Sequence, residues 1–226
     1  MSRVLVTGVT GQDGSNMVDY LLDNTDCLIY GMARRSSNTN LTNCKDFIEN
    51  ERFQLVYGDL TDSFSIAKLV QEIQPDYFIN FAANSYVGCS WDMPEHVMDT
   101  NAVGTIRCYS AGSSEEMGDV DYSPQNKEHP PKPRSPYGVS KVASRYLVKV
   151  YRESYGLFAV HGILYNHEGV RRGEEFVTRK ITKGVARISR AMDQGKEFDP
   201  IPLGNVYSKR DWSDSEDFID GVWKML

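Results

Sequence analysis

The chain has 226 residues, is 40% hydrophobic and carries a formal net charge of −6. That is enough apolar material for a substantial core, long for one domain and short for two, and the acidic balance argues against a nucleic-acid surface. Cys27, Cys44, Cys89 and Cys108 are scattered, with no CxxC and no histidine cluster, which predicts reduced buried thiols rather than disulfides or a metal site. No apolar run is long enough to span a bilayer, and the chain opens on its first strand without a signal peptide, so a cytoplasmic setting is expected.

In chain order, Arg3-Val4-Leu5-Val6-Thr7 reads as a buried strand that runs straight into Gly8-Val9-Thr10-Gly11-Gln12-Asp13-Gly14. A strand, a glycine turn and a helix form the context in which backbone amides cradle a pyrophosphate. Here the glycines fall as GxxGxxG, and a plain turn is the alternative. The apolar positions of Met17-Val18-Tyr20-Leu21-Leu22 predict the helix that follows. A second strand, Cys27 to Met32, leads to Arg34-Arg35-Ser36-Ser37. Arg34 lies twenty positions beyond Gly14, where an acid would bind a ribose hydroxyl and an arginine accommodates a 2′-phosphate. Two guanidiniums and two hydroxyls make a phosphate clamp, so NADP is favoured over NAD, with a solvated basic loop as the alternative.

Phe53 to Leu60 reads as the third strand and its exit turn, Phe64 to Ile73 as a helix, and Asp76 to Ala83 as the fourth strand. Small residues at its carboxyl end permit the close approach of a ligand. The fold class expected is α/β, a doubly wound parallel sheet of Rossmann type. Ser123 to Pro136 is a polar, proline-rich loop. After it, Tyr137 and Lys141 stand i, i+4 on one helix face, so an ammonium can sit beside a phenol and stabilise its anion. By spacing alone a solvated surface pair is the commoner outcome, and it is the glycine-rich opening of the chain that turns the reading toward catalysis.

Taken together, TGVTGQDGS, RRSS, YGDLTDS, GSSEEMGD, PRSPYGVSK, NHEGVRRGEEFVTRKI and LGNVYSKRDWSDSEDF resemble the GDP-mannose 4,6-dehydratase family of extended short-chain dehydrogenases/reductases. The resemblance covers essentially the whole chain, and its rear blocks separate this family from epimerases and other sugar-nucleotide dehydratases. It implies NADP-dependent dehydration of GDP-mannose to GDP-4-keto-6-deoxymannose, by transient C4 oxidation, C5 deprotonation, loss of water from C6 and hydride return. The catalytic positions it implies are Ser113, Glu115, Tyr137 and Lys141, with Lys141 lowering the tyrosine pKa. Adjacent Glu116 is a rival for Glu115, because neighbouring carboxylates point to different faces.

For the cofactor the resemblance implies Gly8, Val9, Thr10, Gly11, Gln12 and Asp13; Arg34, Arg35, Ser36 and Ser37; Asp59 and Leu60; Phe81, Ala82, Ala83, Asn84 and Ser85; and Lys141, His167 and Arg172. Without the family, His167 could equally be a structural histidine. Arg179, Lys180, Lys209 and Arg210 are candidates for a sugar-nucleotide diphosphate, or solvated charges. A homo-oligomer is expected from the family. The division expected is 1–165 as an NADP-binding Rossmann domain and 166–226 as an incomplete sugar-nucleotide portion, with 210–226 packing back on the core.

The chain departs from the family pattern at Asn84-Ser85-Tyr86 and at His96. Between the helix at Asn101 to Thr105 and Ser113, finishing a helix, turning and running a strand should take about 15 to 20 residues. Ile106 to Gly112 is all there is, so the helix is cut to a stub with a strand over Arg107 to Ser110, or residues are missing. The alternative functions are therefore an inactive or truncated NADP-binding module, or another sugar-nucleotide short-chain dehydrogenase such as an epimerase.

Overall fold

The apolar runs become parallel strands. The structure, a computed structural model, describes residues 1–37, 40–83, 88–103, 111–155 and 158–226. Among these, β1 (Arg3–Thr7), β2 (Leu28–Ala33), β3 (Phe53–Tyr57) and β4 (Tyr77–Asn80) form one sheet in the order β3-β2-β1-β4, all parallel. Val4 pairs with Ile29 on one side and Tyr77 on the other, which centres β1. Helices α1 (Gln12–Asn24) and α2 (Ser63–Ile73) make the crossovers, as parallel neighbours require.

A strand buried on both faces is apolar without alternation, and β1 illustrates this. Val4 and Val6 join Met17, Val18 and Leu21 of α1 in one core, while Leu5 turns to the other face and packs with Ile66, Leu69 and Ile73 of α2. Phe47 and Phe53 meet edge to face at 4.8 Å and close the first core at the β3 side. Past β4 the pairing continues without regular strand geometry. The Ala111 amide donates to Asn80 O at 3.3 Å, Gly112 to Gly162 O at 2.6 Å and Ser114 to Leu164 O at 2.8 Å.

After β4 come α3 (Cys89–Asp92), α4 (Pro94–Met98) and a wide turn at Asp99–Val103. The long helix α5 (Pro136–Tyr155) begins with proline in its first turn, and the Ser135 hydroxyl accepts the Gly138 amide at 3.0 Å, a pairing that starts helices well. One face of α5, at Tyr137, Ser140, Lys141, Ser144 and Val148, is buried. The rear of the chain supplies β5 (Asn166–Glu168), paired in parallel with β6 (Trp212–Asp214), then α6 (Val177–Asp193) and α7 (Ser215–Lys224). Ile219 and Val222 of α7 enter the same core as α1. No helix among the described residues is long and apolar enough to cross a membrane.

Candidate active site

The glycine turn sits at the carboxyl end of β1 because its backbone has no alternative there. Gly8 has φ +68°, and a Cβ on it would lie 2.7 Å from the Ala82 nitrogen. The turn is closed by the Gly11 amide donating to Gly8 O at 2.9 Å. Helix α1 then starts at Gly11 with no side chain capping it, so its first amides are available to an anion, whose charge the helix dipole favours.

Next to this turn a carboxylate and an imidazole are locked together. His167 Nε2 lies 3.0 Å from Asp13 Oδ2, and Nδ1 lies 2.7 Å from the Tyr165 carbonyl. Both partners are acceptors, so both ring nitrogens carry protons and the ring is an imidazolium. Burial opposes this charge, yet the hydrogen bond and charge of Asp13, with the Tyr165 carbonyl, outweigh it and raise the His167 pKa. For Asp13 burial likewise acts upward, but His167, Gln12 and Arg172 together hold the carboxyl below its usual range. The ring also stacks on Phe218, 4.7 Å between centroids. The pair is neutral overall, so Asp13 does not repel an anion at the start of α1.

A single cleft of about 1080 Å³ joins this turn to the start of α5. Gly8, Thr10, Gly11, Gln12, Asp13, Arg34, Asp59, Leu60, Phe81, Ala82, Ala83, His167 and Arg172 line one part, and Ser113, Glu115, Tyr137 and Lys141 line another. The geometry separates the two adjacent carboxylates: Glu115 faces the cleft, while Glu116 is fully buried behind it. Val9 is also fully buried, its side chain packed in the core. Arg35, Ser36 and Ser37 are exposed and do not line the cleft. Asn84 and Ser85, with the strand expected at Arg107 to Ser110, lie outside the described residues.

At the catalytic end, Ser113 precedes a single turn at Ser114–Glu116, and its hydroxyl accepts the Glu115 amide at 3.2 Å. The same hydroxyl lines the cleft together with the Tyr137 phenol. Lys141 Nζ donates to Ala111 O at 2.8 Å and stands 5.7 Å from the Tyr137 ring centroid. The expected lowering of the phenol pKa is absent in this site. Burial pushes it up to about 12; the Ser113 hydroxyl pulls the other way, and the charge of Glu115 adds to the rise.

At the far end of the cleft, Asp59 sits among the Thr61 amide and hydroxyl, Arg34 and His96. Burial acts upward there too, but these partners hold its carboxyl below the usual value. His96 lines the cleft, as do Asn40, Asn43, Thr100, Glu175 and Phe176, none of which sequence reasoning had singled out as site residues except as a departure at His96. Their side chains carry no local pattern that would reveal them. Arg172 places its guanidinium 3.6 Å from the Phe176 ring centroid, with Nε 3.0 Å from Glu168 Oε2. Of the basic residues considered for a diphosphate, Arg210 reaches this cleft. Lys180 lines a separate hollow beside Lys183 and Arg187, and Arg179 and Lys209 line neither.

Two features behind the cleft were not anticipated. Asn101 Nδ2 donates to the Ser140 hydroxyl at 3.2 Å, and the Ser144 hydroxyl donates to Asn101 O at 2.7 Å, fixing α5 against the turn before it. His161 contacts Glu116 at 2.9 Å. Both join residues far apart in sequence, and only folding brings them together.

Solved structures with this architecture include dTDP-glucose 4,6-dehydratase from Bacillus anthracis in complex with NAD, with a TM-score of 0.82 at 23% identity, covering 100% of this chain and 71% of that one. UDP-glucuronic acid 4-epimerase from Bacillus cereus gives a TM-score of 0.82 at 23% identity, covering 98% and 72%. At such identities the likeness speaks for the fold. Among curated proteins, GDP-mannose 4,6-dehydratase of Yersinia enterocolitica is 41% identical over 100% of this chain and 64% of its own length. The Drosophila melanogaster protein of that description is 40% identical over 98% and 60%, and the Homo sapiens protein 39% over 98% and 64%. The chain thus spans less than two thirds of these relatives. The Yersinia comparison runs over 246 positions against 226 residues, so at least 20 positions face a gap in this chain. A sequence model of the family described as GDP-mannose 4,6 dehydratase matches residues 5–226. With that match over nearly every residue, the chain belongs to the GDP-mannose 4,6-dehydratase family.

Proposed function

We propose that this chain is the NADP-dependent dehydratase of GDP-mannose, acting in a cytoplasmic setting as a homo-oligomer, with residues 1–165 holding the cofactor and 166–226 part of the sugar-nucleotide site. One observation carries the reading: Ser113, Glu115, Tyr137 and Lys141 line the same cleft as the glycine turn and the uncapped start of α1. The fit to a dinucleotide rests on that helix start, on the close backbone approach at Gly8 and on Arg34 at the opposite end. Arg34 in place of an acid favours the 2′-phosphate of NADP. When bound, the nicotinamide supplies a reversible hydride acceptor.

Tyr137, as phenolate, removes the C4 hydroxyl proton as the C4–H bond gives up its hydride, leaving a 4-ketone. Ser113 holds the C4 oxygen by a hydrogen bond. The ketone acidifies the C5 proton, which Glu115 takes and returns to the departing C6 oxygen, so water leaves and a C5=C6 bond forms. The hydride then adds at C6 while solvent supplies a proton to C5 and Tyr137 releases to solvent the one it took, so protons balance and the cofactor ends as it began. Lys141, held over the Tyr137 ring by its bond to Ala111 O, is a donor for the nicotinamide ribose.

Incubation with GDP-mannose and NADP should yield a 4-keto product. Tyr137→Phe should lose at least about a hundredfold in kcat while retaining NADP binding. Glu115→Gln should abolish dehydration, whereas an epimerase would survive it. NADP binding without any product would assign the chain to the binding-module class instead. Tighter binding of NAD than NADP would overturn the cofactor assignment.

A further inference from the structure

Behind the wall that carries Ser113 and Glu115 is a polar set with no role in those steps. Glu116 is fully buried, yet its side chain is polar. Its Oε1 accepts the Ser113 amide at 2.9 Å and lies 2.9 Å from His161 Nε2, and the Arg145 guanidinium stands 4.0 Å from Oε2. The His161 side chain is 6% exposed. It precedes the segment whose Gly162 and Leu164 carbonyls take the Gly112 and Ser114 amides, so it flanks the Ser113 wall from behind. The backbone leaves room for the pair: a Cβ on Gly112 would fall 2.4 Å from both Glu116 Oε1 and His161 Nε2. Burying polar groups is costly, and a buried polar pair is a poor source of stability compared with apolar packing. The Glu116 bond to the Ser113 amide completes a capping box that starts the turn, and what lies outside that motif is the buried His161 side chain, together with Arg145, set behind a reacting group.

The pair reaches the cleft through one residue. Ser113 is held at its amide by Glu116, while its hydroxyl takes the Glu115 amide and lines the cleft with the Tyr137 phenol. Glu115 rides on the same turn. We infer that Glu116, itself oriented by His161, is a positioning residue that fixes the Ser113–Glu115 turn against Tyr137. The chemistry this serves rests on the dehydratase reading; the geometry does not. Glu116 touches no reacting atom, and no proton passes through it.

The test uses the full chain and three readouts: kcat and KM with GDP-mannose, thermal stability, and the 13C resonance of the Tyr137 phenol carbon, assigned with Tyr137→Phe. That resonance senses how Ser113 and Glu115 are set around the phenol whether or not the protein turns over. Glu116→Gln keeps the acceptor oxygen and should match the wild type in resonance, with kcat largely retained. Glu116→Leu strands His161 and the Ser113 amide and should lower stability. Glu116→Leu combined with His161→Leu also removes the stranded imidazole, leaving the Ser113 amide and Arg145 without the carboxyl, and should regain part of that stability. It should nevertheless keep a displaced resonance and a kcat reduced about tenfold, with KM little changed.

A stable double variant with wild-type resonance and kcat would overturn the inference, because the pair would then only fill space. So would a Gln variant as impaired as the Leu variant. If the leucine variants do not fold, His161→Gln, whose amide can donate to Glu116, should behave as wild type and His161→Ala should not; equal behaviour of the two overturns the inference. If the wild type makes no product yet the double variant displaces the Tyr137 resonance, the dehydratase reading fails and the positioning role stands.

Discussion

At His167 a ring with two acceptors on its two nitrogens has one comfortable protonation state. Its pKa is raised above the ordinary 6.5, and that of Asp13 is lowered below the ordinary 3.8. The histidine's contribution to stability is complete below 6.5 and is lost as pH rises through its folded value. The aspartate's contribution is complete above 3.8 and is lost as pH falls through its folded value. The pair therefore stabilises fully between these two ordinary values and weakens on either side. Thermal melts across about pH 5 to 9 should show the wild type losing stability above about pH 6.5. Asp13→Asn should begin about 2 kcal/mol lower and lose much less over that range. Parallel curves for the two proteins would contradict the assignment of an imidazolium.

The elements that position the site divide by how local their causes are. In the β1–α1 turn the cause lies within a few residues: φ +68° at Gly8 and the 2.7 Å that a Cβ would leave to Ala82. Gly8→Ala should cost at least about 2 kcal/mol in urea unfolding, since the left-handed backbone alone disfavours alanine by about 1–2. It should also weaken NADP binding. For that reason the glycine turn, the strands and the Tyr137–Lys141 helix face were legible from sequence: short-range spacing encodes them. The choice between Glu115 and Glu116 was not legible, because it depends on which way a single turn faces once Ser113 caps it. Nor was the state of Tyr137. Spacing puts Lys141 near the ring, but burial and the charge of Glu115 set the phenol, and Lys141 Nζ is spent partly on Ala111 O. Val9 shows the same limit inside a motif, for its neighbours face the cleft while its side chain serves the core.

Across the whole molecule, the rear of the chain is fastened to the front. Arg171 Nη2 pairs with Asp19 at 2.5 Å and Nη1 donates to Asn16 at 3.1 Å. Asn16 also donates to the Ser215 hydroxyl at 2.9 Å, and Tyr20 donates to Asp220 at 2.9 Å. Under these polar links Ile219, 2% exposed, and Trp223, tilted on Tyr77 at 5.3 Å, extend the core beneath α1. Ile219→Ala should therefore destabilise the nucleotide half itself by about 3 kcal/mol, as large-to-small changes in a packed core do. Urea unfolding followed at Trp223 and by NADP binding should give coincident midpoints if α7 and the glycine turn unfold together.

The union of α1 with α7 also bears on how the protein is born. Tyr20 and its partner Asp220 are separated by 200 positions, and synthesis proceeds from the amino end at about 5–20 residues per second. For roughly ten seconds or more, then, the flank of the first helix that the last one will meet is outside the ribosome without that cover. That interval is when a chaperone holding this flank would matter most, and when a stalled or clipped nascent chain would be most prone to clump.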